Sequence, residues 1–420
     1  VGRSPANPNR ESLAGADRHA IREETPLLFG HKFYRRGQTQ AGKLQPTPAH
    51  HGHIAALDGI RGLAILLVTV YRFAGRGQGQ EFSDNLLWNI ASHGTRGVDL
   101  FFVLSGFLIT GILYDAKGDP HYFRNFYARR ALRIFPLYYA MLVVTLILLP
   151  LVSTSAALVF APAREHQAWL WLYGTNLLQS STGTWPFGCL DHFWSLAVEE
   201  HFYFVWPLVI YWLPRRAAIG ACVIVIASAF VSRVGFILSG GNQVAPEVFT
   251  LFRADALAMG GLVALIARGP GGIQSLSAYA RHVLLVLGPI LLLLSIGHRR
   301  LLTIPDTFFA AFFAGLLVTA LTANGDSQAA KLWNSSWLRF FGKYSYAMYV
   351  FQYPLIPLLT PILSPELLTA TTGNATAARL LYVVVMTAIT TAAAIASWTL
   401  FEKRFLSLKK YFEVSTVTAQ

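Results

Sequence analysis

The chain's 420 residues are 54% hydrophobic and only 13% charged, with a mean hydropathy of +0.45. That balance excludes a water-soluble globular domain and points to a protein that crosses a membrane several times. A formal net charge of +13 does not indicate nucleic acid, because the basic residues stand in short clusters between apolar runs instead of on one continuous face.

In chain order, residues 1–53 mix Arg, Pro, Gly, Gln and His without apolar periodicity and with no apolar core of signal-peptide length. They read as a disordered cytoplasmic tail, beginning at Val1, with no cleavable signal. Ten apolar segments follow, near 57–73, 97–114, 134–152, 194–213, 217–238, 251–268, 282–297, 306–323, 344–363 and 380–401. The run 169–178 is too brief to cross and reads as re-entrant or interfacial. With the amino terminus inside, ten crossings put Arg124, Arg129, Arg130 and Arg133, then Arg215 and Arg216, then Lys331, Arg339 and Lys343, and last Lys403, Arg404, Lys409 and Lys410 on the cytoplasmic side. Arg299 and Arg300 are the exceptions. The expectation is an all-α polytopic bundle of about ten transmembrane helices in a lipid bilayer, one domain over 54–406, with a cytoplasmic tail over 407–420. There is no sign of the paired repeats of a secondary transporter. Cys189 and Cys222 match no metal or redox spacing and read as buried thiols.

A charge at the centre of a bilayer costs on the order of 3 kcal/mol, so each polar residue inside these segments needs a reason. In the first segment Arg61 and Arg72 stand eleven positions apart, which on a helix leaves them about 20° apart in azimuth and about 16 Å apart along the axis. They face the same interior, unless Arg61 simply snorkels and pairs with Asp58. Asp99 and Ser105 are the buried polar members of the second segment, where Gly97, Gly106 and Gly111 suit close helix packing. Ahead of the third, in a cytoplasmic loop, Arg129, Arg130 and Arg133 have the helical spacing of a phosphate-holding fork, or serve only as a positive-inside signal.

His192, Ser195 and Glu199 would share one face of a helix. Such a stripe can relay a proton or bind a sugar hydroxyl; the alternative is an interfacial belt with Trp194 and Trp206. Glu200 and His201 point elsewhere. Arg253 and Asp255 read as an internally neutralised pair beside the close-packing Gly260 and Gly261. Tyr346, Tyr349 and Tyr353 form a stripe that could line a path for an acceptor or anchor an interface.

The segments LDGIRGLAILLVTVYRF (57–73), GTRGVDLFFVLSGFLITGIL (94–113), ARRALRIFPLYY (128–139), HFWSLAVEEHFYFVWP (192–207), FRADALAMGGLVAL (252–265), GKYSYAMYVFQYPL (342–355) and FEKRF (401–405) together resemble, in order, the acyltransferase-3 family of integral-membrane O-acyltransferases. The resemblance implies transfer of an acyl group, commonly acetyl, from cytoplasmic acyl-CoA to a hydroxyl of a glycan, glycolipid or small molecule at the outer face of a bacterial inner membrane. Acyl-CoA is then a substrate, and no bound cofactor is implied. Arg61, Arg129, Arg130 and Arg133 would hold the donor, while Asp99, Ser195, Arg253, Tyr346 and Tyr349 would serve the acceptor or a polar network. The family's hallmark is an arginine followed eleven residues later by a histidine, and here the second place is Arg72. Gln352 also replaces a histidine common in relatives, and His201 a glutamine. Arginine has no lone pair with which to accept a hydroxyl proton. The catalytic set expected is therefore Arg72 with His192 and Glu199, a relocated base; the rival is a non-catalytic member that binds or moves a lipid-linked glycan.

Overall fold

The computed structural model describes residues 1–2, 54–74, 90–296 and 306–412. The tail expected over 3–53, and Arg299 and Arg300, lie outside the described residues.

All ten expected segments are helical. The long helices are α1 (Ala55–Ala74), α2 (Gly97–Asp115), α3 (Tyr122–Val143), α4 (Trp194–Trp212), α5 (Arg215–Leu238), α6 (Thr250–Ala267), α7 (Ser277–Ile296), α8 (Asp306–Thr322), α9 (Ser336–Leu359) and α10 (Ala375–Ser397). No strand occurs among the described residues. Helix α3 starts twelve residues before the expected edge of its span, so the three clustered arginines sit on a helix and not in a loop as expected. It then runs through a π-helical stretch, Val144–Leu148, into Leu149–Val152. The run 169–178 is broken into short helices, Gln167–Trp171 and Thr175–Thr182, with Tyr173 in the left-handed region between them at φ 54°.

Six helical stretches are long and apolar enough to cross a membrane: Ile90–Asp115, Tyr122–Val152, Arg215–Leu238, Ala245–Ala267, Ile273–Leu294 and Ala375–Phe412. Helix α8 is apolar but shorter. The other helices missing from this set are α1, α4 and α9, which are long enough but carry the polar residues singled out above. Burial separates inner from outer helices among the six: 72% of the apolar window around α2 is enclosed by protein, against 11% around α7, whose Leu285, Leu292 and Leu293 are exposed.

Lipid tails are as apolar as leucine, so helices in a bilayer associate through close packing more than through water release. The glycines serve that end. A Cβ on Gly106 of α2 would fall 1.8 Å from the Leu257 carbonyl oxygen of α6, and one on Gly260 of α6 would fall 1.9 Å from that of Val103. Helices α1 and α9 meet the same way, Gly62 against the Leu338 carbonyl and Gly342 against that of Asp58. These two backbone seams fix α1 and α2 in the middle of the bundle.

Candidate active site

At the end of α1, the Arg72 guanidinium lies 4.0 Å over the Tyr353 ring of α9. The His192 imidazole packs against the same ring at 5.7 Å and against Tyr349 at 5.3 Å. His192 lies in a 3-10 turn, Gly188–Phe193, that feeds directly into α4, so it precedes the helix of Ser195 and Glu199 instead of sharing it as expected. Ser195 Oγ and Tyr349 Oη are 2.6 Å apart, Tyr349 donates to the His192 carbonyl at 2.9 Å, and Ser195 donates to it at 3.3 Å. This triangle pins the turn between α4 and α9.

Both His192 ring nitrogens are buried without a hydrogen-bond partner, as is Arg72 Nε. Burial, and then the Arg72 charge, hold the imidazole well below its ordinary range, so it stands neutral at pH 7. Asp191 flanks the group. Burial raises its carboxyl to about 6, against hydrogen bonds from the Phe187 amide at 2.9 Å and the Gln179 amide at 3.0 Å and against the Arg72 charge. One arginine thus faces both a carboxyl and a neutral imidazole.

Further along α4, Glu199 accepts a hydrogen bond from Ser105 of α2 at 2.7 Å, and Ser105 Oγ lies 2.8 Å from Tyr203 Oη. The Arg130 guanidinium is 5.3 Å over the Tyr203 ring, and Arg130 and Arg61 both face Glu199 electrostatically. Arg61 also makes the 3.1 Å pair with Asp58, so the bland alternative for it is real and coexists with its place in the cluster. Arg133 is faced by Arg61 and Arg130 and, with opposite sign, by Glu402. Tyr346 donates to the Ile134 carbonyl of α3 at 2.7 Å, locking α9 to the helix of the arginines.

The expected residues therefore fall into two groups joined along α4. Arg72, His192, Ser195 and Tyr349 gather at one end; Arg61, Arg129, Arg130, Arg133, Glu199 and Tyr346 gather at the other. Asp99 and Arg253 join neither. Arg253 pairs with Asp99 and, at 2.6 Å, with Asp306 of α8, and Arg96 pairs with Asp306 and, at 3.3 Å, with Asp99. The expected Arg253–Asp255 pair does not form, because Asp255 instead pairs at 3.0 Å with Arg233 of α5, which is fully buried. A buried charge is stable only when closely matched, and a partner two residues along a helix points away from it. Neutralisation therefore runs between helices.

Sequence reasoning gave no role to Arg96, Arg233 and Asp306, named Glu402 only within the FEKRF segment, and placed Lys409 only in a cytoplasmic cluster. The available signal was that each is an ionisable group within or against an apolar segment. Glu200, set aside for its direction, has a buried Oε1 with no hydrogen-bond partner. Among the described residues, no group of three or more His, Cys, Asp or Glu side chains is placed to hold a metal ion.

A helical bundle with exposed apolar outer helices around buried charged pairs is the architecture of an integral membrane protein. The chain belongs to the acyltransferase-3 family: the family profile described as Acyltransferase domain matches residues 54–399. It is 29% identical over 334 residues to a putative peptidoglycan O-acetyltransferase of Bacillus subtilis, 28% over 335 residues to the peptidoglycan O-acetyltransferase of Listeria monocytogenes, and 27% over 328 residues to an O-acetyltransferase of Staphylococcus aureus. These alignments cover 74, 74 and 72% of this chain and 50, 50 and 51% of the relatives, so the chain spans about half the length of each. No solved structure gives a significant match.

Proposed function

We propose that the chain is a membrane O-acyltransferase that moves an acyl group, acetyl by the names of its relatives, from cytoplasmic acyl-CoA to a hydroxyl of an envelope glycan or glycolipid. One observation carries the reading. On α1, Arg61 and Arg72 stand eleven residues apart; on the facing path along α4, Tyr203 and His192 stand eleven residues apart in the opposite sense. Arg61 meets the Glu199 end of that path and Arg72 the His192 end. The seam is about 16 Å long, has a cationic cluster for phosphates at one end and a neutral base beside a fixed cation at the other, and suits a donor lying lengthwise in it.

In this scheme His192 takes the proton of the acceptor hydroxyl, the oxygen adds to the thioester carbonyl, and the adduct collapses by breaking the C–S bond, the leaving CoA thiolate receiving the proton that His192 had taken. Arg72 stabilises the oxyanion that forms on the carbonyl oxygen. Glu199, held by Ser105, sits beside the phosphate-binding arginines and balances part of their charge. The ten long helices all cross the bilayer of a bacterial inner membrane, with both termini cytoplasmic, which puts the arginine cluster on the CoA side. The test is acetyl-CoA turnover by the purified chain in detergent, with and without glycan hydroxyls, together with mass spectrometry of envelope glycans from expressing and deleted strains. Transfer that disappears in His192→Ala supports the scheme. Absence of any transfer, with glycan binding retained, would favour the non-catalytic binder.

A further inference from the structure

Beside Tyr353, helices α1 and α9 share a polar contact that the scheme above leaves unused. Thr69 of α1 donates to Gln352 Oε1 of α9 at 3.4 Å, and both side chains are fully buried. Thr69 stands three positions before Arg72, one helical turn, so the two lie on the same side of α1. Gln352 stands three positions after Tyr349, whose hydroxyl pins the His192 turn, and directly before Tyr353, whose ring carries both Arg72 and His192. The amide is thus held at the Arg72 and His192 end of the seam. Its nitrogen is unused within the protein: Gln352 Nε2 is buried without a hydrogen-bond partner, as are Arg72 Nε and both His192 ring nitrogens. Neutral imidazole donates through one nitrogen and accepts through the other, so the four atoms amount to three donors and one acceptor. Native proteins rarely leave buried donors unmatched, and here the surplus gathers around one ring. It suits a ligand atom with lone pairs alone to offer, above all a carbonyl oxygen that gains negative charge during reaction.

We infer that Gln352 is a catalytic residue whose amide nitrogen donates, beside Arg72, to the oxygen of the thioester carbonyl as the tetrahedral adduct forms. The inference rests on the reaction proposed above and adds a second donor to its oxyanion site. As the acceptor oxygen, its proton passing to His192, bonds to the carbonyl carbon, the electron pair of the C=O double bond moves onto the carbonyl oxygen. Arg72 and Gln352 meet it there. The pair returns as the C–S bond breaks, and the proton on His192 goes to the thiolate. Gln352 itself neither gains nor loses a proton, since a primary amide serves here only as a donor. Thr69 is a positioning residue: by occupying Oε1 it leaves the nitrogen as the free end of the amide.

The experiment is steady-state acetyl transfer from acetyl-CoA to glycan hydroxyls by the full chain in detergent, with coenzyme A affinity measured on the same preparations to show that each variant is folded. Gln352→Met keeps the length of the side chain and removes the donor. Its kcat should fall by about 10²–10³-fold, the usual loss of one oxyanion donor, while KM for acetyl-CoA and coenzyme A affinity stay as in the unaltered protein. Gln352→His retains an N–H group and should regain part of the loss. Thr69→Val breaks the same contact but leaves the amide, so its loss should be the smaller. Gln352→Leu repeats the test should Gln352→Met not bind coenzyme A. Unchanged kcat without the amide overturns the inference, and so does an equal loss in Thr69→Val, which would make the contact between helices the whole effect. If the unaltered chain transfers acetyl and His192→Ala abolishes it while Gln352→Met does not alter it, the inference fails alone. If the unaltered chain transfers nothing, the proposed reaction itself is refuted and the inference goes with it.

Discussion

Arg72 and His192 share the Tyr353 ring between them, and in the proposed reaction they divide two tasks that need opposite properties, a permanent positive charge and an available lone pair. Removing the lone pair should cost most. His192→Ala is expected to lower the turnover rate by about 10²–10⁴-fold, the usual range for a general base, measured as acetyl transfer at neutral pH. Arg72→His restores the residue that the family resemblance leads one to expect, but it takes a fixed cation from the oxyanion region, so it should lower turnover as well. A gain on Arg72→His would mean instead that position 72 is the base position and that the natural chain is a weakened enzyme. At the other end of the seam, Arg61→Ala, Arg130→Ala or Arg133→Ala each removes charge-assisted hydrogen bonds worth about 1.5–3 kcal/mol. Coenzyme A affinity should fall roughly tenfold to a hundredfold in each, and three unchanged affinities would leave these arginines as topology signals alone.

Between helices, the decisive contacts are those in which one backbone lies on another. Gly106→Ala or Gly260→Ala places a methyl group within 2 Å of a carbonyl oxygen on the partner helix, where no side-chain rotation relieves the clash. Forcing α2 and α6 apart should cost about 1–3 kcal/mol. Gly220→Ala in α5, where a Cβ meets nothing within 4 Å, should be neutral or stabilising by up to about 1 kcal/mol. Thermal unfolding midpoints of the three variants in one detergent check the contrast, and similar midpoints would remove the seam from the account of stability. The α2–α6 seam was legible in the sequence, because small residues in apolar segments have few other reasons to be there, whereas Gly62 and Gly342 of the α1–α9 seam were not singled out. The partners of Arg253 and Asp255 were not. Spacing along one helix says which residues share its face, whereas Asp99 is paired with Arg253 by the fold's long-range contacts, and Asp255 with Arg233 likewise.

For the whole molecule, the arrangement has one strong consequence for orientation in the membrane. The ten apolar segments were readable from composition and all fold as helices, yet α8 falls short of the length that marks a span, and α1, α4 and α9 are long enough but too polar. Polar groups of α4 and α9 such as Ser195, Tyr349 and Gln352 are buried while Phe204, Trp212 and Trp337 are exposed, as expected where polar groups at membrane depth face protein instead of lipid. Counting these four helices as crossings puts α3 outward-bound and α4 inward-bound, with residues 153–193 between them on the outer side. The short helices Gln167–Trp171 and Thr175–Thr182, broken at Tyr173, are each far below the roughly 20 residues needed to span. Reporter fusions after residues 160 and 190 should therefore both report the outer face, and fusions at either end of the chain the cytoplasm. Opposite signals from 160 and 190 would mean that the broken segment crosses after all. In that case α4 would run the other way, and His192 would lie on the cytoplasmic side while Arg130, ahead of the break, stayed there too. A charged seam with both of its ends on one side of the membrane could not carry an acyl group across, so this measurement tests the geometry of the proposed reaction without an assay of the reaction itself.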